Sequence, residues 1–259
     1  MLAITPTRTF NLLYILIDSL FIVFFLGILL WKKRKAAFWF SIFGGILYFI
    51  VDFGYFYIIS RSRVVKIDYV ECNALYTGLV LLWMSLSYGI TNFAFIWLCI
   101  KKDENLKEFL LLIVGWWLVA PTIAYLGPAP NIMTYRTTHA YHGMMGVILV
   151  IGYGILIIYN LKVEKAKRVN ILWLNLIGIS VQFSWEFALL IHGIRPMTGD
   201  FIQTLMVNSL IETNLGMPII YGIYLLVNRK FTEDLQKKEY IERNVNSYDG
   251  YNETTIAGK

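Results

Sequence analysis

The sequence predicts an all-α, polytopic membrane fold of seven transmembrane helices, with the N-terminus outside and the C-terminus inside. Three observations predict it. Apolar runs of about 20 residues recur along the chain, the length a helix needs to cross roughly 30 Å of hydrocarbon. Of the 259 residues, 58% are hydrophobic and 15% charged, against about 45–50% and about 25% in a soluble domain. The Lys and Arg gather in alternate segments between the apolar runs, as the positive-inside rule requires.

The runs cover 10–31, 37–59, 73–100, 108–127, 140–160, 171–192 and 204–227. Only Arg8 precedes the first, which has no basic n-region, is too long for a signal-peptide core and lacks a small-residue cleavage site. It is expected to be retained. The second run carries Asp52 late in its length. The third is long enough to tilt or to begin at the interface. The fourth links two halves of the chain. The fifth opens on RTTHAYHGMMG, with His139 and His142 on one helical face. The sixth holds Gln182, Trp185 and Glu186. The seventh holds Asn208, Glu212 and Asn214, with Gly216 and Pro218 placed to loosen it just below Glu212. Strands of a membrane barrel would alternate in polarity, and these runs do not. A transmembrane domain over 1–230 is expected, followed by a flexible cytoplasmic tail over 231–259, polar and charged.

Orientation follows from the basic residues. Seventeen of the 23 Lys and Arg lie after runs 1, 3 and 5 and in the tail. Arg8, Arg61, Arg63, Lys66, Arg136 and Arg195 lie on the other side. A multi-pass protein of the plasma membrane results, with the lipid bilayer as partner. The net charge of +6 is a topology signal with no folded basic face, which excludes a nucleic-acid partner. Most tryptophans sit near helix ends as an aromatic belt; Trp83 and Trp185 lie deeper. Cys72 and Cys99 flank one helix and are too far apart to bridge.

Two stretches match at an offset of 134: Gly44 with Gly178, Asp52 with Glu186, Phe53 with Phe187, Arg61 with Arg195. SLSYGITN from Ser85 echoes SLIETN from Ser209 across a two-residue gap. Together they suggest a 3+1+3 parallel internal repeat, a layout some transporters use; chance similarity of short apolar segments explains the match equally well.

Four acids fall inside predicted helices: Asp18, Asp52, Glu186 and Glu212. No Lys or Arg lies inside a span to pair with them. A mid-bilayer charge costs roughly 2.5–3.5 kcal/mol on the insertion scale. The four are therefore expected to face the bundle interior, a water-filled cavity or one another, some of them protonated. Asp18 and Glu212 lie about eight residues below the outer ends of their helices, roughly 12 Å. Asp52 and Glu186 lie about 10 Å down. One layer of candidate catalytic carboxylates results. Trp185, Phe53, Tyr88, Asn92, Gln182, Asn208 and Asn214 are the candidate substrate-binding residues around it. Beside His139 and His142 only His192 offers a third imidazole, so no metal and no cofactor are expected.

Several classes drop out. There is no Lys in helix 7 for a retinal Schiff base, and no P-loop, HExxH, GxSxG or dinucleotide fingerprint. Two classes fit the acids. A membrane enzyme could use one carboxyl to protonate an alkene or epoxide and a second to take a proton back, with aromatic walls stabilising the cation. A proton-coupled small-molecule carrier would need the same midmembrane acids, repeats and loosened helix. A sensory or structural protein is a third reading.

FSWEFALLI, around Trp185 and Glu186, resembles the Trp-Glu motif of the small seven-helix integral-membrane terpene cyclases of meroterpenoid and indole-diterpene pathways. In that family the motif lies in helix 2; here it lies in helix 6, and Val51-Asp52 stands at the helix-2 position. By position, Asp52 and Glu212 are similar to the family's acid pair. The resemblance implies cyclisation or isomerisation of a lipophilic, isoprenoid-like substrate. The 3+1+3 layout is similar to the sugar-transporting SWEET proteins, although their group's Pro-Gln dipeptide is absent.

Overall fold

The computed structural model of the chain describes residues 7–124, 130–136, 142–196 and 205–232. It is mostly helical, and its helices begin and end within a few residues of the apolar runs. In order they are α1 (Leu12–Trp31), α2 (Lys35–Phe49), α3 (Ala74–Lys101), α4 (Leu106–Ala124), α5 (His142–Lys162), α6 (Ile171–Ile191), α7 (Leu205–Glu212) and α8 (Met217–Thr232). A π-helical segment, Ile50–Ile59, prolongs α2 without a break.

Six helices are long and apolar enough to cross a membrane, and α7 with α8 makes a seventh if the broken pair counts as one span. The break falls at 213–216, where Gly216 and Pro218 predict loosening. Most of these helices leave apolar surface outside. α5 leaves most of its apolar length exposed, whereas α3 is mostly buried and runs through the middle of α1, α2, α4 and α6. So much contiguous apolar surface is untenable in water and natural in a bilayer.

The expectation of an all-α chain needs correction. Four short strands form an antiparallel sheet in the order β1-β4-β2-β3, with β1 Arg8–Asn11, β2 Arg63–Ile67, β3 Val70–Glu71 and β4 Asn131–Arg136. They come from the segments before α1, between α2 and α3, and between α4 and α5. Thr9 N–H also donates to the Ile194 carbonyl, just beyond α6, at 2.8 Å. One end of the bundle therefore gathers the start of α1, the end of the π segment, the starts of α3 and α5, and the ends of α4 and α6. At the other end, Arg34 between α1 and α2 pairs with Asp103 and Glu104 between α3 and α4, both at 2.7 Å. The Trp173 indole of α6 donates there to the Cys99 carbonyl at 3.1 Å. The helices thus alternate in direction.

Local chemistry makes the sheet. RVVKI is rich in β-branched residues, and Asp68 and Tyr69 turn the chain with φ of 47° and 70°, the two positive values a two-residue type I′ hairpin needs. Arg63 stands directly opposite Arg136, and Arg8 opposite Thr134. Side chains alternate across a strand, so Arg8, Arg63 and Arg136 share one sheet face with buried Phe10, Val65 and Ile132. That face meets α3, where Phe10 lies edge-on to Trp83 at 5.0 Å.

Glycines set the closest helix approach. A Cβ on Gly89 of α3 would lie 2.6 Å from the Cα of Gly45 on α2, and one on Gly44 would enter the Phe93 ring. Gly89→Ala is therefore expected to lower stability by about 1–3 kcal/mol through overpacking. Thermal melting in detergent micelles measures it, and an unchanged melt would mean the two helices can part at no cost. Contacts divide the chain into two units, Met1–Ile220 and Tyr221–Lys259. In the second, residues through Thr232 are helical, with the Tyr221 and Tyr224 rings stacked at 5.9 Å. The expected tail beyond lies outside the described residues.

Candidate functional site

The π segment positions the first acid. Its backbone bonds skip five residues, as in Ser60 N–H to Tyr55 O at 2.8 Å, and Asp52 is its buried member. The Arg63 guanidinium donates to Asp52 Oδ2 at 2.6 Å, and the Tyr88 hydroxyl of α3 to the same oxygen at 3.0 Å. Arg136 Nη1 lies 3.7 Å from Oδ1. Its Nη2 reaches toward Glu212, at the end of α7, at 3.9 Å. The Arg8 guanidinium lies over the Tyr88 ring at 5.6 Å and that of Arg136 over Phe56 at 5.1 Å.

Glu186 on α6 is the second buried acid. Arg195 donates to its Oε2 at 2.7 Å; Gln182 and Arg8 donate to its Oε1 at 3.2 and 3.5 Å. The Gln182 carbonyl oxygen accepts from Thr213 at 2.6 Å, tying α6 to the α7–α8 break. The acids do face the bundle interior, and their partners come from outside the spans. The basic residues of the spans lie only near their ends away from the sheet, yet Arg8, Arg63, Arg136 and Arg195 reach in from the segments at the sheet end. Arg61, the sequence match of Arg195, is exposed, and Arg63 takes its place at Asp52. The spacing from acid to arginine is eleven residues here against nine in α6; the wide π turns take up the extra chain.

Arg63, buried, and Arg136, half-buried, need these partners. Burial pushes the Arg63 guanidinium below its ordinary value, with Asp52 opposing. For Arg136 burial acts the same way, but Asp52 and Glu212 outweigh it and hold the charge above its ordinary value.

A cavity of about 260 Å³ opens between these groups, room for roughly nine water-sized groups at about 30 Å³ each. The α2 and π segments give it Tyr48, Val51, Asp52 and Phe56, and α3 gives Tyr88 and Asn92. Gln182, Trp185, Glu212 and Thr213 close the far side, Met145 of α5 adds apolar surface, and Arg8 and Arg136 come from the sheet. Among the described residues the Trp185 indole N–H and Asn92 Oδ1 have no hydrogen-bond partner.

The expected layer of four acids thus resolves into three roles. Asp52 and Glu212 line the cavity. Glu186 stands behind it, its side chain 1% exposed against 18% for Glu212. Asp18 is held elsewhere, by the Trp83 and Trp116 indoles at 3.1 and 2.9 Å and by Ser87. Of the expected binding residues, Trp185, Tyr88, Asn92 and Gln182 line the cavity. Phe53 instead stacks between Phe49 and Tyr57, at 5.2 Å from each. Asn214 accepts from Tyr153 at 3.2 Å and donates to the Ser209 carbonyl at 3.2 Å, securing the helix break. The side chain of Asn208 and the whole of His139 lie outside the described residues, as does the His142 side chain; His192 caps the end of α6.

Comparison with protein-family models, curated proteins and solved structures returns no match.

Proposed function

We propose that the chain is a seven-span protein of the plasma membrane, N-terminus outside, whose cavity carries out acid–base chemistry on a lipophilic, unsaturated substrate. The observation that carries the reading is the meeting of Asp52 and Glu212, 160 residues apart in sequence, in the wall of one aromatic cavity. Their roles differ. Asp52 is fixed by Arg63 and Tyr88 and serves as a permanent negative charge opposite a developing cation. Glu212, more exposed and more loosely paired with Arg136, donates a proton to an alkene carbon and, as the carboxylate left behind, removes one from the neighbouring carbon. Isomerisation, or cyclisation if the cation is captured internally, follows without any other reactant. Trp185 and Tyr48 offer ring faces to the cation.

The orientation is supported by the alternating helices and by the Lys-rich segments at the end away from the sheet. An internal repeat is supported by Gly44 and Gly178, each at a close helix contact (Gly178 with Asn214 and Met217), and by the two acids eight residues further on, each held by two arginines. A carrier is the second reading, favoured by the break in the seventh span beside Glu212.

Glu212→Gln is expected to fold normally and to slow turnover by about 10²–10⁴-fold, the usual worth of a general acid. With no substrate in hand, the measurement is mass spectrometry of molecules co-purifying with wild type and variant from mild detergent. An unsaturated lipophile enriched in the variant supports the enzyme. A polar metabolite, or bulk lipid alone, favours the carrier and calls for proton-gradient uptake assays.

A further inference from the structure

We infer that the cavity binds the anionic head of an amphiphile, a group bearing one negative charge such as a carboxylate, between Arg8 and Arg136. This deepens the acid–base reading of the same cavity, and rests on it for what happens to the rest of the molecule. Among the described residues around the cavity the charges do not balance: four arginines meet three carboxylates. Arg63 holds Asp52 at 2.6 Å and Arg195 holds Glu186 at 2.7 Å, so each acid already has a close partner. Arg136 and Arg8 stand further off the same acids, at 3.7 and 3.5 Å, and Arg136 is 3.9 Å from Glu212. What faces the cavity is therefore Arg8 and Arg136 against Glu212, a formal surplus of one positive charge while Glu212 is ionised, before it takes up the proton it donates; the place is poorly solvated, and an unbalanced charge there is costly.

Geometry agrees with the charge. A guanidinium has five N–H donors in a planar fork. The contacts of these two arginines lie at or beyond the length of a good hydrogen bond, including the 4.0 Å approach of Arg8 to the Met84 sulfur. Both forks keep donors for a ligand, and a planar fork suits a carboxylate. Val51, Met145 and Trp185 provide an apolar wall beside them, which fits the remainder of an amphiphile. A neutral lipophile would leave the surplus charge unmet.

The test is equilibrium binding of radiolabelled dodecanoate to the full chain in zwitterionic lipid nanodiscs, corrected for empty nanodiscs, with dodecanol and dodecyl phosphate as comparison probes. Wild type is expected to bind dodecanoate more tightly than dodecanol by about tenfold or more, the worth of a charge-assisted hydrogen bond. Arg136→Gln and Arg8→Gln each weaken dodecanoate by about 10- to 100-fold and leave dodecanol unchanged. Arg136→Lys, which keeps the charge but loses the fork, falls between and stands in should the glutamine variant fail to fold. Glu212→Gln removes a like charge and tightens dodecanoate severalfold. Equal binding of dodecanol and dodecanoate to wild type overturns the inference, and tighter binding of dodecyl phosphate overturns the single charge. The two readings fail separately. Dodecanoate binding that depends on the arginines, in a protein whose turnover ignores Glu212→Gln, keeps the anion site and removes the acid–base role; Glu212-dependent chemistry with no preference for dodecanoate does the reverse.

Discussion

Arg63→Met lowers the stability of the protein by about 3–5 kcal/mol, the cost of leaving one member of a buried ion pair without its partner. Both side chains of the Arg63–Asp52 pair are 3% exposed, so water cannot replace the lost guanidinium. Two effects act the other way. Arg136 remains 3.7 Å from Asp52. Removing Arg63 also relieves the like-charge pair it forms with Arg136 across β2 and β4, a cross-strand effect of about 0.2–1 kcal/mol. Neither matches the desolvation of a bare carboxylate. The double variant Arg63→Met/Asp52→Leu is expected to recover most of the loss, because no charge is then stranded. Thermal melting and SDS titration in mixed micelles follow both variants. A double variant as unstable as the single one would show that Arg63 holds the sheet rather than Asp52.

Asp18→Ala should cost nearly as much, about 2–5 kcal/mol, for a different reason. Asp18 is 2% exposed and accepts from the indoles of Trp83 on α3 and Trp116 on α4. It joins three helices at one point. Alanine orphans both N–H donors, at about 1–3 kcal/mol each. Trp116 cannot swing away to find another acceptor, because its ring is stacked on Phe21 at 4.3 Å. The two indoles use different oxygens of Asp18, so Asp18→Asn keeps an acceptor for one and turns its amide donor toward the other; it is expected to cost about 1–3 kcal/mol, less than alanine. An asparagine variant as stable as wild type would show that only one of the two indole bonds holds the helices together.

Some of the site could be read along the chain. Asp52, Glu212, Trp185, Tyr88, Asn92 and Gln182 stand out as polar or aromatic groups at depth in apolar runs, and each lines the cavity. Phe53 and Asn214 stand out equally and serve packing and the helix break. Depth says how far a side chain lies from water; which face of the helix it occupies depends on the neighbours. The four arginines were legible only as topology. Arg63 and Arg136 do sit in segments with β-branched and aromatic residues (RVVKI, NIMTYR), and Asp68-Tyr69 follows where a turn should, but segments of five or six residues without clean alternation do not announce a sheet. The π segment has no sequence mark at all. Its two additional residues are what bring Arg63, and not Arg61, onto Asp52.

By itself the sequence determined the membrane class, the helices and their limits, because burial in hydrocarbon is a property of each run alone: twenty apolar residues must span whatever surrounds them. Tertiary structure decided the electrostatics. A carboxylate's state depends on charges within a few ångströms, and here those charges arrive from segments 11, 84 and 178 residues away for the pairs Asp52–Arg63, Asp52–Arg136 and Glu186–Arg8. Only the pairing of β1, β4 and β2 lays three arginines side by side on one face, over acids that no basic residue in their own helices could reach.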